Sequence, residues 1–161
     1  MDDRSLVGQQ LGRPPRAFRR VARRCPFGRP AVTEQAPFDD AGRPFPTTYY
    51  LTCRHLVAAI SRLEAAGGVA RFTAAAASDP ALAASLEFAD EWQRQLRRRL
   101  AGGREHPSLE LGIGGSSRRG SLKCLHAHAA FAFANPGYGL GQLIVAEVEP
   151  CWPDSCCSDP G

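Results

Sequence analysis

Thiol and imidazole side chains are the groups in this sequence best suited to chemistry. Six cysteines occur among 161 residues, and three of them, Cys25, Cys53 and Cys124, lie far apart along the chain. His126 and His128 closely follow the third of these cysteines. Thiolate sulfur and imidazole nitrogen are ligands that zinc prefers, whereas four thiolates would equally suit an iron–sulfur cluster. We therefore predict a metal site formed by residues that are distant in sequence.

The choice of histidine depends on the backbone conformation after Cys124. In a helix, Cys124 and His128 share a face. In an extended segment, Cys124 and His126 point to the same side instead. Cys151 is a further candidate for the fourth ligand. Because the chain has no Cys-x-x-Cys pair, spacing alone also allows the cysteines to be small buried residues, or one of them to pair with a histidine for nucleophilic catalysis.

A glycine-rich segment offers a second candidate site. Gly114 and Gly115 are followed by Arg118 and Arg119, just before a segment that we predict to be helical. Backbone N–H groups and guanidinium groups in this arrangement can hold an anion. The segment lacks the residues of a P-loop and of a dinucleotide-binding fingerprint. Such a site would suit an enzyme acting on a phosphorylated or anionic substrate, and the alternative is an ordinary loop.

Residues 1–30 form a strongly basic segment, in which arginines far outnumber the two acids, Asp2 and Asp3. A surface of this kind could dock an unknown protein partner. Nucleic acid is not favoured as the partner, because no aromatic platform accompanies the arginines. Lys123 is the only lysine in the chain, so part of the arginine excess reflects the base composition of the gene rather than a binding role.

The spacing of apolar residues predicts the elements that carry these side chains. Apolar residues at helical spacing alternate with β-branched and aromatic runs, and proline and glycine mark the boundaries. We expect a short helix at residues 16–24, strands at residues 31–36 and 47–52 that pair as a hairpin, three helices within residues 54–100, and a buried helix at residues 121–134. Residues 142–148 fit either a strand or a short helix.

These elements predict an α+β fold that is mostly helical. A small two-stranded β element near the N-terminus packs with about four helices in a single domain, residues 1–136. Residues 137–161 are expected to form a divergent, disordered C-terminal tail.

No apolar run approaches the roughly 18 residues of a membrane helix, and the acidic N-terminus lacks an apolar signal segment. We therefore expect a cytoplasmic protein that makes no membrane contact.

Five short strings together resemble one protein family. They are QLGRPPR (10–16), VARRCP (21–26), PFPTTYYLTC (44–53), ISRLEAAG (60–67) and KCLHAH (123–128). In this order they resemble the DUF501 family of uncharacterised bacterial proteins, which is common in actinobacteria. The resemblance extends over about residues 5–135.

The resemblance implies no assigned activity, so whether the protein is an enzyme stays open. Three of the strings contain Cys25, Cys53 and Cys124, which favours a metal-binding protein with a structural or redox role. Members of the family are often encoded near a septum-formation protein. The alternative that this implies is a non-enzymatic interaction protein linked to cell division, acting through the arginine-rich N-terminus.

Overall fold

The computed structural model describes residues 1–158 of the chain. Six α-helices and three β-strands occur in this part of the chain. In chain order they are α1 (Asp3–Leu11), β1 (Phe18–Arg24), β2 (Pro30–Gln35), β3 (Tyr49–Leu51), α2 (Arg54–Ala65), α3 (Gly68–Ser78), α4 (Pro80–Leu100), α5 (Leu125–Ala134) and α6 (Gly139–Ala146). The mostly helical α+β class with a small N-terminal sheet is therefore confirmed. Residues 159–161 of the predicted tail lie outside the described residues.

The sheet has three antiparallel strands in the order β1–β2–β3, rather than the predicted two. The pairing of β2 with β3 confirms the predicted hairpin. The predicted helix at residues 16–24 is wrong, because this segment forms strand β1. Two arginines of β1, Arg19 and Arg20, contact the buried carboxylate of Glu34 on β2 at 3.2 and 2.6 Å. Opposite charges on neighbouring antiparallel strands stabilise their pairing, so the segment is held extended.

Three helices follow the sheet, as predicted for residues 54–100. Gly67 separates α2 from α3 with a φ of 84°, a left-handed conformation that favours glycine. Asp79 caps α4, because its carboxylate accepts hydrogen bonds from the backbone N–H groups of Ala81 and Leu82. Pro80 occupies the first turn of α4, where a missing N–H group is tolerated. These local signals explain why the helix boundaries could be predicted.

Helix α5 lies at the centre of the fold and packs against β3, α2 and α6. Most of its residues are buried, as its apolar composition predicts. The ring of Phe131 makes edge-on contacts with Tyr49, Trp92 and Tyr138, with centroids at 5.5, 5.5 and 5.4 Å. This aromatic cluster joins α5 to β3, to α4 and to the residue that precedes α6.

The C-terminal segment is more ordered than the sequence predicts. Helix α6 forms where a disordered tail was expected, and Leu140 and Ile144 are fully buried. The helix approaches α5 closely at Gly141, where a Cβ atom would lie 2.7 Å from the Cβ atom of Ala132. Contacts with the core therefore stabilise this short apolar helix. These contacts come from other elements, so the sequence of the segment itself does not show that it is ordered.

Candidate metal centre

Three side chains converge where the end of α2 meets the start of α5. They are Glu64 in the last turn of α2, Cys124 at the N-cap of α5 and His126 in its first turn. One ligand atom from each lies within 4.8 Å of the other two. The Nδ1 atom of His126 is 3.1 Å from Oε1 of Glu64 and 3.9 Å from Sγ of Cys124. Within residues 1–158, no other group of three histidine, cysteine or acidic side chains comes together in this way.

The backbone at the start of α5 determines which histidine joins Cys124. Cys124 is extended, with φ −149° and ψ 115°, and the helix begins only at Leu125. The extended alternative therefore applies, and Cys124 lies beside His126 rather than beside His128. The backbone N–H group of Leu125 donates to Oε2 of Glu64 at 2.8 Å. This bond satisfies a free N–H group of the first turn and places a negative charge at the positive end of the helix.

The second ring nitrogen of His126 fixes the orientation of the imidazole. Its Nε2 atom is 3.3 Å from the backbone carbonyl of Val57 and 3.1 Å from the hydroxyl of Ser61. A carbonyl oxygen only accepts hydrogen bonds, so Nε2 carries the hydrogen. In the neutral ring, Nδ1 then carries the lone pair and directs it at Glu64 and Cys124. Histidines that bind metals commonly donate their other N–H group to a carbonyl in this manner.

The three groups shift one another's proton affinity. The hydrogen bond with Cys124 raises the pKa of His126; burial opposes this rise, and the charge of Glu64 adds to it. Burial alone would raise the pKa of Cys124, but hydrogen bonds from His126 and from the backbone N–H group of Ala127 outweigh burial and lower it. Protonation of Nδ1 would place a positive charge between Glu64 and Cys124, and a metal cation in the same place would be stabilised by the same two groups.

A cleft of about 310 Å³ opens beside this group. Its walls come from β3, from the segment before it, from α2, from the glycine-rich segment and from the start of α5. The lining residues are Thr47, Tyr49, Tyr50, Leu51, Val57, Gly114, Cys124, His126 and Ala127. The side chains of Glu64 and His126 are 27% and 26% exposed. Because Cys124 and His126 are among the residues that line the cleft, a solute in the cleft can reach these two of the three converging side chains.

A family model described as "Protein of unknown function (DUF501)" matches residues 21–145, most of the chain. The chain belongs to the DUF501 family. The resemblance found in the sequence is thereby confirmed over residues 21–135, whereas the string at residues 10–16 precedes the match. The match continues into α6, beyond the residue at which that resemblance ended. No curated protein and no solved structure matches the DUF501 chain significantly. Among residues 1–158, none of its helices is long and apolar enough to cross a membrane.

The other predicted ligands of the DUF501 chain lie outside the converging group. Cys25 lies in the turn between β1 and β2, where its backbone N–H group donates to the carbonyl of Arg29 at 2.9 Å. Cys53 precedes α2, and its Sγ atom is 3.6 Å from Sγ of Cys157. His128 is buried in the core. The Sγ atom of Cys151 is 4.0 Å from the carbonyl of Val145. Of the predicted metal ligands, the structure brings together only Cys124 and His126.

Several hydrogen-bond donors of the glycine-rich segment are already paired with acceptors within the chain. The backbone N–H group of Gly115 donates to the carbonyl of Gly112 at 3.0 Å. The guanidinium of Arg119 pairs with the carboxylate of Glu87, and Arg118 is exposed. Gly114 instead forms part of the cleft wall next to Cys124. The anion site at Gly114, Gly115, Arg118 and Arg119 stays a prediction, and the segment has a structural role beside Cys124.

The arginines of the N-terminal segment also have partners within the DUF501 chain. Arg19 and Arg20 share the carboxylate of Glu34, and Arg24 pairs with Asp3 at 2.8 Å. Internal ion pairs of this kind reduce the free positive charge that a partner would encounter. Docking of a protein partner on this segment stays a prediction.

Glu64 is the member of the group that was not predicted. On sequence grounds it is one of several acids on a helix, where a solvated face is the ordinary expectation. A signal was present, because Glu64 lies in the ISRLEAAG string that contributes to the family resemblance. Its convergence with Cys124 depends on the packing of α2 against α5, which sequence spacing alone does not reveal.

His128 gives the fold a strong response to acid. Its ring is completely buried, with Nδ1 2.8 Å from the hydroxyl of Tyr138, and Nε2 has no hydrogen-bond partner among the described residues. Burial lowers the pKa of His128 from 6.5 to about 3. Between these values the unfolded chain takes up a proton that the folded chain does not, so acid favours unfolding.

We expect His128 to reduce the free energy of unfolding by about 1.4 kcal/mol for each pH unit below about 6.5. Urea unfolding of the metal-free chain at about pH 7 and about pH 5 should therefore show a smaller difference for His128→Gln than for the wild type. His126→Gln is the control, because His126 affects the pH dependence of stability in the opposite direction. Its pKa is raised in the folded chain, so it stabilises the fold below about pH 6.5, and this stabilisation is lost as the pH rises through the folded pKa. Equal pH dependence of the wild type and His128→Gln would contradict the expectation.

Proposed function

We propose that this DUF501 chain is a zinc-binding protein whose ion is held by Glu64, Cys124 and His126. One observation carries the proposal. A carboxylate oxygen, a thiol sulfur and an imidazole nitrogen lie within 4.8 Å of one another, and the carbonyl of Val57 orients the imidazole so that its free nitrogen faces the other two atoms.

Two of the three distances between the proposed ligand atoms are close to those around a tetrahedral zinc ion. Bonds of about 2.3 Å to sulfur and about 2.0 Å to nitrogen and oxygen separate sulfur from nitrogen by about 3.5 Å and nitrogen from oxygen by about 3.3 Å. Here Sγ of Cys124 is 3.9 Å from Nδ1 of His126, and Nδ1 is 3.1 Å from Oε1 of Glu64. These two distances would need to change by only a few tenths of an ångström to accommodate the ion, and the sulfur and the carboxylate oxygen lie within 4.8 Å of each other.

The mixed donor set favours zinc over the other metals considered. An iron–sulfur cluster requires four protein ligands that are mostly thiolates, and this group contains one thiol among residues 1–158. Calcium and magnesium prefer oxygen ligands alone. One oxygen, one nitrogen and one sulfur match the ligand types found in zinc sites.

Three protein ligands leave one tetrahedral position for a water molecule or another small ligand. Structural zinc sites are filled by four protein ligands, whereas catalytic sites keep one position open. Cys124 and His126 line the cleft, so we infer that the open position faces it. The structural or redox role expected from sequence is therefore replaced in this proposal by a site that is accessible to a ligand.

Zinc binding to the purified full-length chain tests the proposal. We expect one zinc per chain in elemental analysis, and cobalt substitution should give the visible bands of tetrahedral cobalt with a thiolate-to-metal transition. Because a metal displaces protons from cysteine and protonated histidine, zinc should release roughly one to two protons per ion at neutral pH. Calorimetry in buffers of different ionisation enthalpy measures this number.

Two results would contradict the proposal. The first is a folded chain that neither retains zinc nor binds it when titrated. The second is zinc binding that leaves the rate of Cys124 alkylation by iodoacetamide unchanged, because a thiolate bonded to zinc should be protected. Cys25 provides the internal control, since its alkylation should not respond to zinc.

A further inference from the structure

A second pair of thiols lies outside the zinc-binding group. Cys53 is the residue before α2, and Cys157 belongs to the segment after α6. Their Sγ atoms are 3.6 Å apart, although 104 positions separate the residues in sequence. Neither residue belongs to the group formed by Glu64, Cys124 and His126. The pair is therefore a separate cluster of reactive side chains, and its chemistry does not use the proposed zinc ligands.

The C-terminal segment is held in place by several contacts besides this one. The carbonyl of Pro150 lies 3.2 Å from Nε2 of His55 at the start of α2. The ring of Trp152 packs against Phe133 of α5, with centroids 5.6 Å apart. The hydroxyl of Ser158, next to Cys157, accepts a hydrogen bond from the side-chain amide of Gln10. The two sulfurs therefore face each other in a defined arrangement of the fold.

The two thiols have different surroundings. Cys53 is 3% exposed, and burial raises its pKa to about 11. Cys157 is only half-buried. Burial alone would raise the pKa of Cys157, but hydrogen bonds from the backbone N–H group of His55, from Cys53, from Ser158 and from the backbone N–H group of Arg54 outweigh it and lower the pKa. Solvent can thus reach the sulfur of Cys157, and the backbone N–H groups at the start of α2 stabilise this sulfur as a thiolate.

We propose that Cys53 and Cys157 form a reversible disulfide when hydrogen peroxide oxidises the chain. The thiolate of Cys157 attacks one peroxide oxygen, the O–O bond breaks, and the departing hydroxide takes a proton to become water. The sulfur of Cys53 then attacks the sulfenic acid of Cys157, the S–O bond breaks, and the proton of Cys53 leaves with the second water. The two sulfurs together supply the two electrons that reduce the peroxide, and a dithiol reverses the reaction.

Little movement is needed to form the bond. A disulfide holds its sulfurs at about 2.05 Å, so the observed 3.6 Å separation must shorten by roughly 1.6 Å. Cys157 lies in an irregular segment rather than in a helix or strand, and rotation of its side chain supplies this motion. Cys156, which is buried beside it, is the competing partner that an experiment must exclude.

The test uses the full chain, reduced and then treated with a small molar excess of hydrogen peroxide. A protease that cleaves after glutamate isolates Cys53 in the peptide between Glu34 and Glu64, and isolates the tail after Glu147, because the bond between Glu149 and Pro150 resists cleavage. Mass spectrometry without reduction should show these two peptides joined, with a mass lower than their sum by two hydrogen atoms. Dithiothreitol should separate them again. A folded wild-type chain that forms no such link would overturn the proposal.

Variants identify the partner, because three cysteines share the tail peptide. The link should persist in the double variant Cys151→Ser/Cys156→Ser and in the control Cys25→Ser, and it should be lost in Cys157→Ser. A link to Cys53 that survives in Cys157→Ser would overturn the proposal. A disulfide between Cys156 and Cys157, or Cys157 oxidised to the sulfinic acid while Cys53 stays a free thiol, would also overturn it.

Discussion

Replacing His126 with alanine is expected to weaken zinc binding by more than about a hundredfold, the upper limit for loss of a group that merely supports a ligand. The change removes the imidazole nitrogen that serves as a ligand atom, and this loss outweighs the removal of a proton that competes with zinc. It leaves Glu64 and Cys124 as a carboxylate and a thiol that cannot complete a tetrahedral site. Competition with a chromophoric chelator measures the affinity of the wild type and of the variant under the same conditions.

Matched variants distinguish the loss of a ligand from general damage. His55→Ala removes a partly buried imidazole from the start of α2, outside the proposed ligand group, and should leave the zinc affinity unchanged. Cys124→Ser should resemble His126→Ala, whereas Cys151→Ser should resemble the wild type. Circular dichroism of the metal-free chains checks that each variant is folded. Zinc affinity that is equal in His126→Ala and His55→Ala would remove the basis of the proposed site.

Phe131→Ala is expected to reduce the free energy of unfolding by about 3–5 kcal/mol, the usual cost of emptying a buried aromatic position. Its ring is 2% exposed and makes edge-on contacts with Tyr49, Trp92 and Tyr138. Because these rings belong to different elements, the cavity cannot close without moving several of them. Denaturant unfolding monitored by the far-ultraviolet signal measures the loss.

Phe88→Ala is the matched control, since Phe88 on α4 is 73% exposed. Substitutions at exposed positions away from special contacts usually change stability by less than about 0.5 kcal/mol. The two variants remove the same atoms, so the difference between them isolates the effect of burial. Equal destabilisation would show that Phe131 does not occupy the core position described here.

Local signals account for the elements that the sequence predicts correctly. Proline, aspartate and glycine mark the ends of α2, α3 and α4, and a β-branched and aromatic run marks β3. Strand β1 was missed because its stability comes from partners on β2: Arg19 and Arg20 pair across the sheet with Glu34. Helix α6 could not be assigned for the same kind of reason: residues 142–148 fitted either a strand or a short helix, and the buried side chains of α6 contact α5 rather than one another.

The candidate site was predictable only in part. The short spacing between Cys124 and His126 places these residues together in an extended segment, and the sequence allowed this arrangement as one of two. Glu64 reaches them across 61 positions of the chain, through its hydrogen bond with the N–H group of Leu125. Such an approach depends on the packing of α2 against α5. The sequence therefore indicated the chemistry of the site but not its full set of ligands.

The carboxylate of Glu64 makes two different contacts with α5. One oxygen accepts a hydrogen bond from the backbone N–H group of Leu125, and the other lies next to Nδ1 of His126. The three proposed ligands come together only when α2 is docked on α5, the helix that also carries Phe131. Metal affinity and fold stability are then thermodynamically linked. A substitution that loosens the aromatic cluster lowers the population able to bind zinc, and by reciprocity a bound ion raises the resistance of the distant core to unfolding.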